Sequence, residues 1–294
     1  MGYYHICTDG RPDVLLFHTQ EQFAYGMTTI ALAAIKFKVK IYIFELLPNH
    51  LHIMVSATGD TCVNVFDFII RRISKQLTDD GYPSLPEDYD FRLIDVEDRN
   101  SFISHFIYVA RNPYEKGWCV PGGYLWGSDY LLFSQWGDWI VGTPVGEMTY
   151  RERRQALKSE IEVPPHWEYH PKLGLLPKNY VSLEKVKALV PSPKSYLTRL
   201  VKDYERLVHI SSQLEESIAF SPEELEDLLS ELVRKYYPGR KLRDLSGEEK
   251  GRLAVALSDR YRLGAETIAT QLKIPVRTVY QTLRSKDMGA GKKR

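Results

Sequence analysis

The spacing of apolar residues changes period several times in the first 115 positions, and each change predicts a new element. Residues 3–8 alternate and are rich in aromatics, as a strand does. Asp9-Gly10-Arg11-Pro12 is a turn. From Glu21 to about Lys36, Phe23, Met27, Ile30, Leu32 and Ala34 form a stripe without proline, which predicts a helix. Residues 39–46 and 50–56 return to strand character, with Pro48-Asn49 as the hairpin turn between them. A second helix is expected over residues 60–77, with Val63, Phe66, Ile70, Ile73 and Leu77 on one face and Arg71, Arg72 and Lys75 as its basic residues. Residues 79–90 hold the Pro, Gly and Asp of a loop, and 91–96 read as a fourth strand. A third helix is expected to start at a cap on Asn100 or Ser101 and to stop at Asn112, because Pro113 follows. The order β-α-β-β-α-β-α is that of an α+β, ferredoxin-like domain: a four-stranded antiparallel sheet with helices on one face and the first and third strands central.

Beyond residue 135 the pattern weakens. Pro164, Pro165, Pro171, Pro177, Pro191 and Pro193 break residues 136–215 into short pieces, with helical stretches at 150–161 and 195–214. This segment reads as a connector packed on the first domain. His166 and His170 are four apart, but the flanking prolines argue against a metal-binding helix, so they are expected at the surface. Residues 216–294 are clearer. A capped amphipathic helix covers 221–236, and Ser246 with Glu249 forms a capping box that opens a helix to about Arg262. Helical stretches at 265–272 and 276–285 flank the break Lys273-Ile274-Pro275. Ile268, Ala269, Leu272, Ile274, Val279 and Leu283 occupy the apolar positions of a helix-turn-helix. Its recognition face would be Val276, Arg277, Tyr280, Gln281 and Arg284, set to enter the major groove of duplex DNA. The tail 289–294 is expected to be disordered, with Lys292, Lys293 and Arg294 adding phosphate contacts. Three domains follow: 1–135, a 136–215 connector and 216–294.

Composition changes this picture mainly through charge. With 44% hydrophobic and 26% charged residues, the chain is of the globular class, and its net charge of +1 is unremarkable. The sign is unevenly distributed, however. Residues 1–135 carry 11 Lys/Arg against 16 Asp/Glu, whereas residues 246–294 carry 11 against 5. A basic end module attracts a phosphate backbone. No apolar run approaches the roughly 20 residues of a membrane span. No basic lead precedes an apolar core, so no signal peptide is expected. Cys7, Cys62 and Cys119 are odd in number and widely spaced, which fits buried thiols in a reducing cytoplasm.

The candidate chemistry begins at Pro48-Asn49-His50-Leu51-His52. In a strand His50 and His52 point the same way, and two imidazoles on one face make half of a divalent-metal site. On the third helix Tyr108 and Asn112 are four apart and share a face, with His105 close to the same stripe. If that face covers the histidines, Asn112 supplies a third ligand oxygen. Two nitrogens and an amide oxygen suit Mg²⁺ or, better, Mn²⁺. Tyr108 would then attack a phosphodiester in line, with His105 or a nearby cation assisting its deprotonation. Tyr114 is the nearest rival but lies past Pro113 and off the face. Arg71, Arg72 and Lys75 read either as a solvated helix face or as contacts to the substrate strand.

These motifs resemble those of the single-tyrosine HUH transposases, and within them the REP-associated tyrosine transposases, which carry a Pro-Asn-His-x-His strand and a Tyr-Ile-x-x-Asn-Pro helix end. The resemblance spans roughly residues 3–135 and includes Tyr124-Leu125-Trp126-Gly127-Ser128, which is similar to a family Tyr-x-Trp-Ser segment. It implies a divalent metal on His50 and His52, and Tyr108 as nucleophile on single-stranded, often hairpin-forming DNA. The chain departs from the family at Tyr114-Glu115-Lys116-Gly117, where an apolar-Arg-Ala-Gly run is usual, and the connector and helix-turn-helix are additions. The leading expectation is metal-dependent DNA cleavage and rejoining through a 5′-phosphotyrosine, by an enzyme that acts alone or as a homodimer. The alternatives are a domesticated, non-catalytic DNA-binding regulator and a replication-initiator or relaxase-type nicking enzyme.

Overall fold

The computed structural model describes residues 1–8, 10–133, 136–202, 204–214, 220 and 222–290. The described residues divide into two compact units: Met1–Leu200 with Gln213 and Leu214, and Val201–Ser212 with the helices from Pro222 onward. None of the described helices is long and apolar enough to cross a membrane.

The first unit begins β1 (Gly2–Thr8), α1 (Gln20–Phe37), β2 (Lys40–Leu46), β3 (Leu51–Ala57), α2 (Gly59–Asp79), β4 (Phe91–Asp95) and α3 (Arg99–Glu115). The strands form one sheet in the order β2-β3-β1-β4, and every neighbouring pair is antiparallel. Residues directly opposite share a face, so the register sorts the side chains. Ile6 (β1), Phe44 (β2), and Ile53 and Val55 (β3) point to one side, into a core closed by Met27, Ile30 and Ala31 of α1 and Val65, Ile69 and Ile73 of α2. Gly26 lets α1 approach closely, since a Cβ there would collide with Phe17 and Leu46. Tyr3, His5, Cys7, Glu45 and His52 point to the other side, which α3 covers. Phe102 of α3 meets Tyr3 and Tyr42 edge-on, with ring centroids 5.3 and 5.2 Å apart. The three helices therefore do not share one face.

Side-chain caps set the helix limits. Thr19 and Thr58 cap α1 and α2, and Lys38 ends α1 in the left-handed region. Asp98, not Asn100 or Ser101, starts α3: its carboxylate accepts the Ser101 N–H at 2.7 Å. Pro113 does not stop α3, which runs on to Glu115. Proline there forfeits one backbone N–H near the helix end, where few further bonds depend on it.

The sequence after α3 contains α4 (Tyr130–Phe133), α5 (Trp136–Trp139), α6 (Tyr150–Leu157), α7 (Glu184–Leu189) and α8 (Pro193–Lys202), with a small sheet of β5 (Thr143–Pro144), β6 (Glu168–His170) and β7 (Gly174–Leu175). Two stretches close the outer edge of β2. Leu46 N–H donates to Trp126 O and Ser128 N–H to Phe44 O, while Ser182 N–H donates to Ile41 O. Tyr180 donates its hydroxyl to Met27 O. Residues 136–200 pack within the first unit.

The second unit holds α9 (Tyr204–Gln213), α10 (Pro222–Tyr236), α11 (Gly247–Tyr261), α12 (Ala265–Leu272) and α13 (Val276–Ala290). The helical stretch expected over 195–214 is two helices, α8 and α9. Ser246 and Glu249 form the reciprocal capping box of α11. Leu228, Leu232, Leu253, Leu257, Ile268, Leu272 and Val279 build a separate core. The helix expected to end at Ser285 continues to Ala290. Ser221, Lys292, Lys293 and Arg294 lie outside the described residues.

Candidate functional site

His52 (β3) and His5 (β1) stand diagonally across the central strand pair, since Cys7 faces His52 and His5 faces Met54. His5 Nε2 is 3.1 Å from His52 Nδ1, and His5 Nδ1 is 2.9 Å from His105 Nδ1 on α3. At the other end His52 Nε2 is 3.0 Å from Asn112 Nδ2. This chain of contacts has a self-consistent proton order. The Asn112 amide donates to His52 Nε2, His52 Nδ1–H to His5 Nε2, and His5 Nδ1–H to His105 Nδ1. Each ring then carries one proton and is neutral. The electrostatics agree. Burial, and then the neighbouring His105 and His52, hold His5 well below 6.5. Burial, and then His105 and Lys116, bring His52 down to about 3.

His50 lies one residue before β3, and its ring centroid is 5.0 Å from that of His52. Its Nδ1 is 2.8 Å from Asn49 Oδ1, an acceptor, so Nδ1 carries the proton and the lone pair sits on Nε2. Asn49 is itself fixed by donating Nδ2–H to Arg11 O. With Asn49 accepting from His50 and the Asn112 amide donating to His52, the Nδ1–H tautomer is the one consistent with these contacts, and it puts the lone pair of each ring on Nε2. The Tyr108 ring lies edge-on to His52 at 5.8 Å and 6.3 Å from His5. Tyr108, Asn112 and His50 keep 4, 7 and 7% exposure, while His5 and His52 have none. The solvent side of the cluster is thus formed by the tyrosine, the amide and one imidazole.

For these residues to hold a divalent cation, the Asn112 amide, which here donates to His52 Nε2, turns over to present Oδ1; the set is then two neutral imidazole nitrogens and one amide oxygen. Among the described residues, no group of three or more His, Cys, Asp or Glu side chains is arranged to hold a metal ion.

The sequence singled out His50, His52, His105, Tyr108 and Asn112, and the structure brings them together. His105 is not at the helix surface but buried against His5. Tyr114 lies inside α3, turned away from the Tyr108–Asn112 stripe. Arg71, Arg72 and Lys75 stand on α2, behind the opposite face of the sheet, and do not join the cluster. Arg72 donates to the Leu157 and Lys158 carbonyls. In the second unit Val276, Arg277, Tyr280, Gln281 and Arg284 are exposed along α13, with the Tyr280 hydroxyl donated to Glu266 at 2.7 Å.

His5 escaped the sequence reading. Its signal was its place in an alternating first strand, two before Cys7, but the strand register was needed to aim it at His52. Two carboxyls also escaped it. Glu45, the cross-strand neighbour of His52, and Asp129 are buried near one another. Burial, then Asp129, raises Glu45 well above 4.5, and burial raises Asp129 to about 7. Backbone N–H groups of Asp129 and Ser128 offset part of the Glu45 shift without reaching its oxygens in hydrogen-bond geometry. Gly127 makes room for this carboxylate, which a Cβ there would strike.

No protein-family model and no curated protein matches this chain. A solved structure is similar to it. That structure is a REP-associated tyrosine transposase bound to a REP hairpin, 15% identical, covering 44% of this chain and 78% of its own, with a TM-score of 0.36.

Proposed function

We propose that the first unit cleaves and rejoins single-stranded, hairpin-flanked DNA through a covalent bond to Tyr108, on a ferredoxin-like scaffold. The observation that carries this reading is the convergence of Tyr108 and Asn112 with His50 and His52. In the reaction Tyr108 Oη bonds to phosphorus as the phosphorus–O3′ bond breaks. The 5′ end is left on the tyrosine, and the 3′ oxygen takes up a proton. His50, His52 and Asn112 would hold Mg²⁺ or Mn²⁺, which when bound polarises the phosphate and offsets developing charge. His5 orients His52 by accepting its Nδ1 proton, and His105 in turn orients His5. The tyrosyl phosphodiester retains the energy of the bond it replaces, so another 3′-hydroxyl can attack it and rejoin the strand.

The described helices α12 and α13 serve, in this reading, as a helix-turn-helix for duplex DNA, with Arg277, Gln281 and Arg284 towards the bases. Tyr280 is steadied by Glu266. The domain division 1–135, 136–215 and 216–294, a cytoplasmic location and the option of a homodimer belong to the same proposal.

The test is a denaturing gel. Wild type and Tyr108→Phe are incubated with labelled hairpin oligonucleotides from the gene's flanks, in Mn²⁺ or EDTA. A shifted band in wild type with Mn²⁺ alone supports the reading. Tight duplex binding with no adduct on any flank would favour the non-catalytic regulator, a reading that the near-burial of Tyr108 also accommodates.

A further inference from the structure

On the back of the first unit, α1 and α2 border a cavity of about 510 Å³. It lies behind the apolar face of the sheet, away from Tyr108. From α2, Phe68, Arg71, Arg72 and Lys75 line it at successive helical turns, and from α1, Tyr25 and Lys36 do so. Lys158 adds a fifth cation, against the two carboxylates Asp67 and Asp79. Four of the 11 Lys/Arg in residues 1–135 thus line one groove, in a region whose net charge is −5. Such clustering runs against the background and creates a local positive field.

The aromatic rings alternate with these cations. The Lys36 ammonium sits 4.7 Å from the centroid of Phe68, and the Arg72 guanidinium 4.9 Å from that of Tyr25. Arg72 is fixed there by Thr29 and by the Leu157 and Lys158 carbonyls, so its plane is pre-set. Arg71 and Lys75 are exposed and pair with Asp67 and Asp79 on their own helix. Exposed pairs of this kind are worth little and are readily exchanged for a stronger anion.

We infer that this groove binds a single-stranded nucleic-acid tract, with phosphates drawing Lys36, Arg71 and Lys75 outward and bases taking the place that Lys36 and Lys158 hold over Phe68 and Tyr25. The inference rests on the DNA-processing reading above. It adds a second place for the strand, on the opposite side of the sheet from the cleavage site, where a flank of the hairpin can be held. An acidic protein segment would be drawn by the same charge but would gain nothing from the rings.

The probe is an oligothymidylate of about 15 nucleotides, in EDTA, carrying photoreactive 5-iododeoxyuridine, with the full chain. Cross-links are expected on peptides containing Phe68 or Tyr25. The triple variant Lys36→Ala/Arg71→Ala/Lys75→Ala should bind on the order of tenfold more weakly. Its slope of log affinity against log salt should be shallower by about 2, near 0.7 per lost phosphate contact. Phe68→Leu, which keeps the apolar volume, should also weaken binding. Cross-links found only elsewhere, or an unchanged triple variant, would overturn the inference. So would displacement by polyglutamate at equal charge. Groove binding and the Tyr108 adduct are read on the same wild-type chain, the first in EDTA and the second in Mn²⁺. A missing adduct with intact groove binding therefore counts against the cleavage reading alone, and an adduct without groove binding counts against the groove alone.

Discussion

The two faces of the central sheet are buried to the same degree but built from opposite materials. Towards α1 and α2 the strands present Ile6, Phe44, Ile53 and Val55, a face whose packing needs only shape and volume. Towards α3 they present Tyr3, His5, Glu45 and His52, groups whose burial is costly without hydrogen-bond partners. The histidines find one another and Asn112, whereas both oxygens of Glu45 and one of Asp129 have no hydrogen-bond partner among the described residues. The contrast teaches a division of labour. One face holds the fold, and the other keeps polar chemistry in a fixed, neutral arrangement.

The largest effect on stability should come from the apolar face. Ile53→Ala removes a side chain that is 1% exposed at the centre of that core. It should cost about 2–5 kcal/mol, read as a lowered denaturant midpoint with an unchanged slope.

Next comes the pH dependence of the polar face. Asp129 is raised from 3.8 to about 7. Below about pH 4 folded and unfolded chains both hold this proton, so there is no penalty. Between about 4 and 7 only the unfolded chain releases it, and stability falls as pH rises. Above 7 the loss is constant, at about 4 kcal/mol on ~1.4 kcal/mol per unit. Denaturation across this range should show the decline in wild type and a flatter profile in Asp129→Asn.

A smaller effect tests the histidine relay. His5→Leu deprives His52 Nδ1–H of its acceptor while preserving bulk. Mn²⁺ affinity, measured by calorimetry, should fall about 10- to 100-fold. Unchanged affinity would make His5 mere packing. The smallest effect on stability belongs to the second unit, where Arg277→Ala should stay within about 0.5 kcal/mol. The same substitution should weaken duplex binding by about 1–3 kcal/mol in a gel-shift titration, if α13 reads bases.

The sequence carried much of this, and its gaps have physical causes. The alternation read over residues 50–56 put His50 and His52 on one side although the strand itself begins at Leu51, and the four-residue spacing put Tyr108 beside Asn112 because both lie in a single helix. The start of α3 was misplaced because several capping residues lie together and only geometry selects Asp98. Its end was misplaced because Pro113 falls where the helix has few bonds left to lose. His5 stayed hidden because a lone histidine in a strand says nothing about its cross-strand neighbours. Glu45 and Asp129 are 84 positions apart, and they come together only because the segment at Trp126–Ser128 pairs with the edge of β2.

The most direct test of the central claim is mass-spectrometric mapping of a protein–oligonucleotide adduct formed in Mn²⁺ on a hairpin-flanked single strand. The expected adduct is a phosphodiester on Tyr108 that is absent in EDTA and in Tyr108→Phe. An adduct that survives Tyr108→Phe, or that maps to Tyr114, would contradict it.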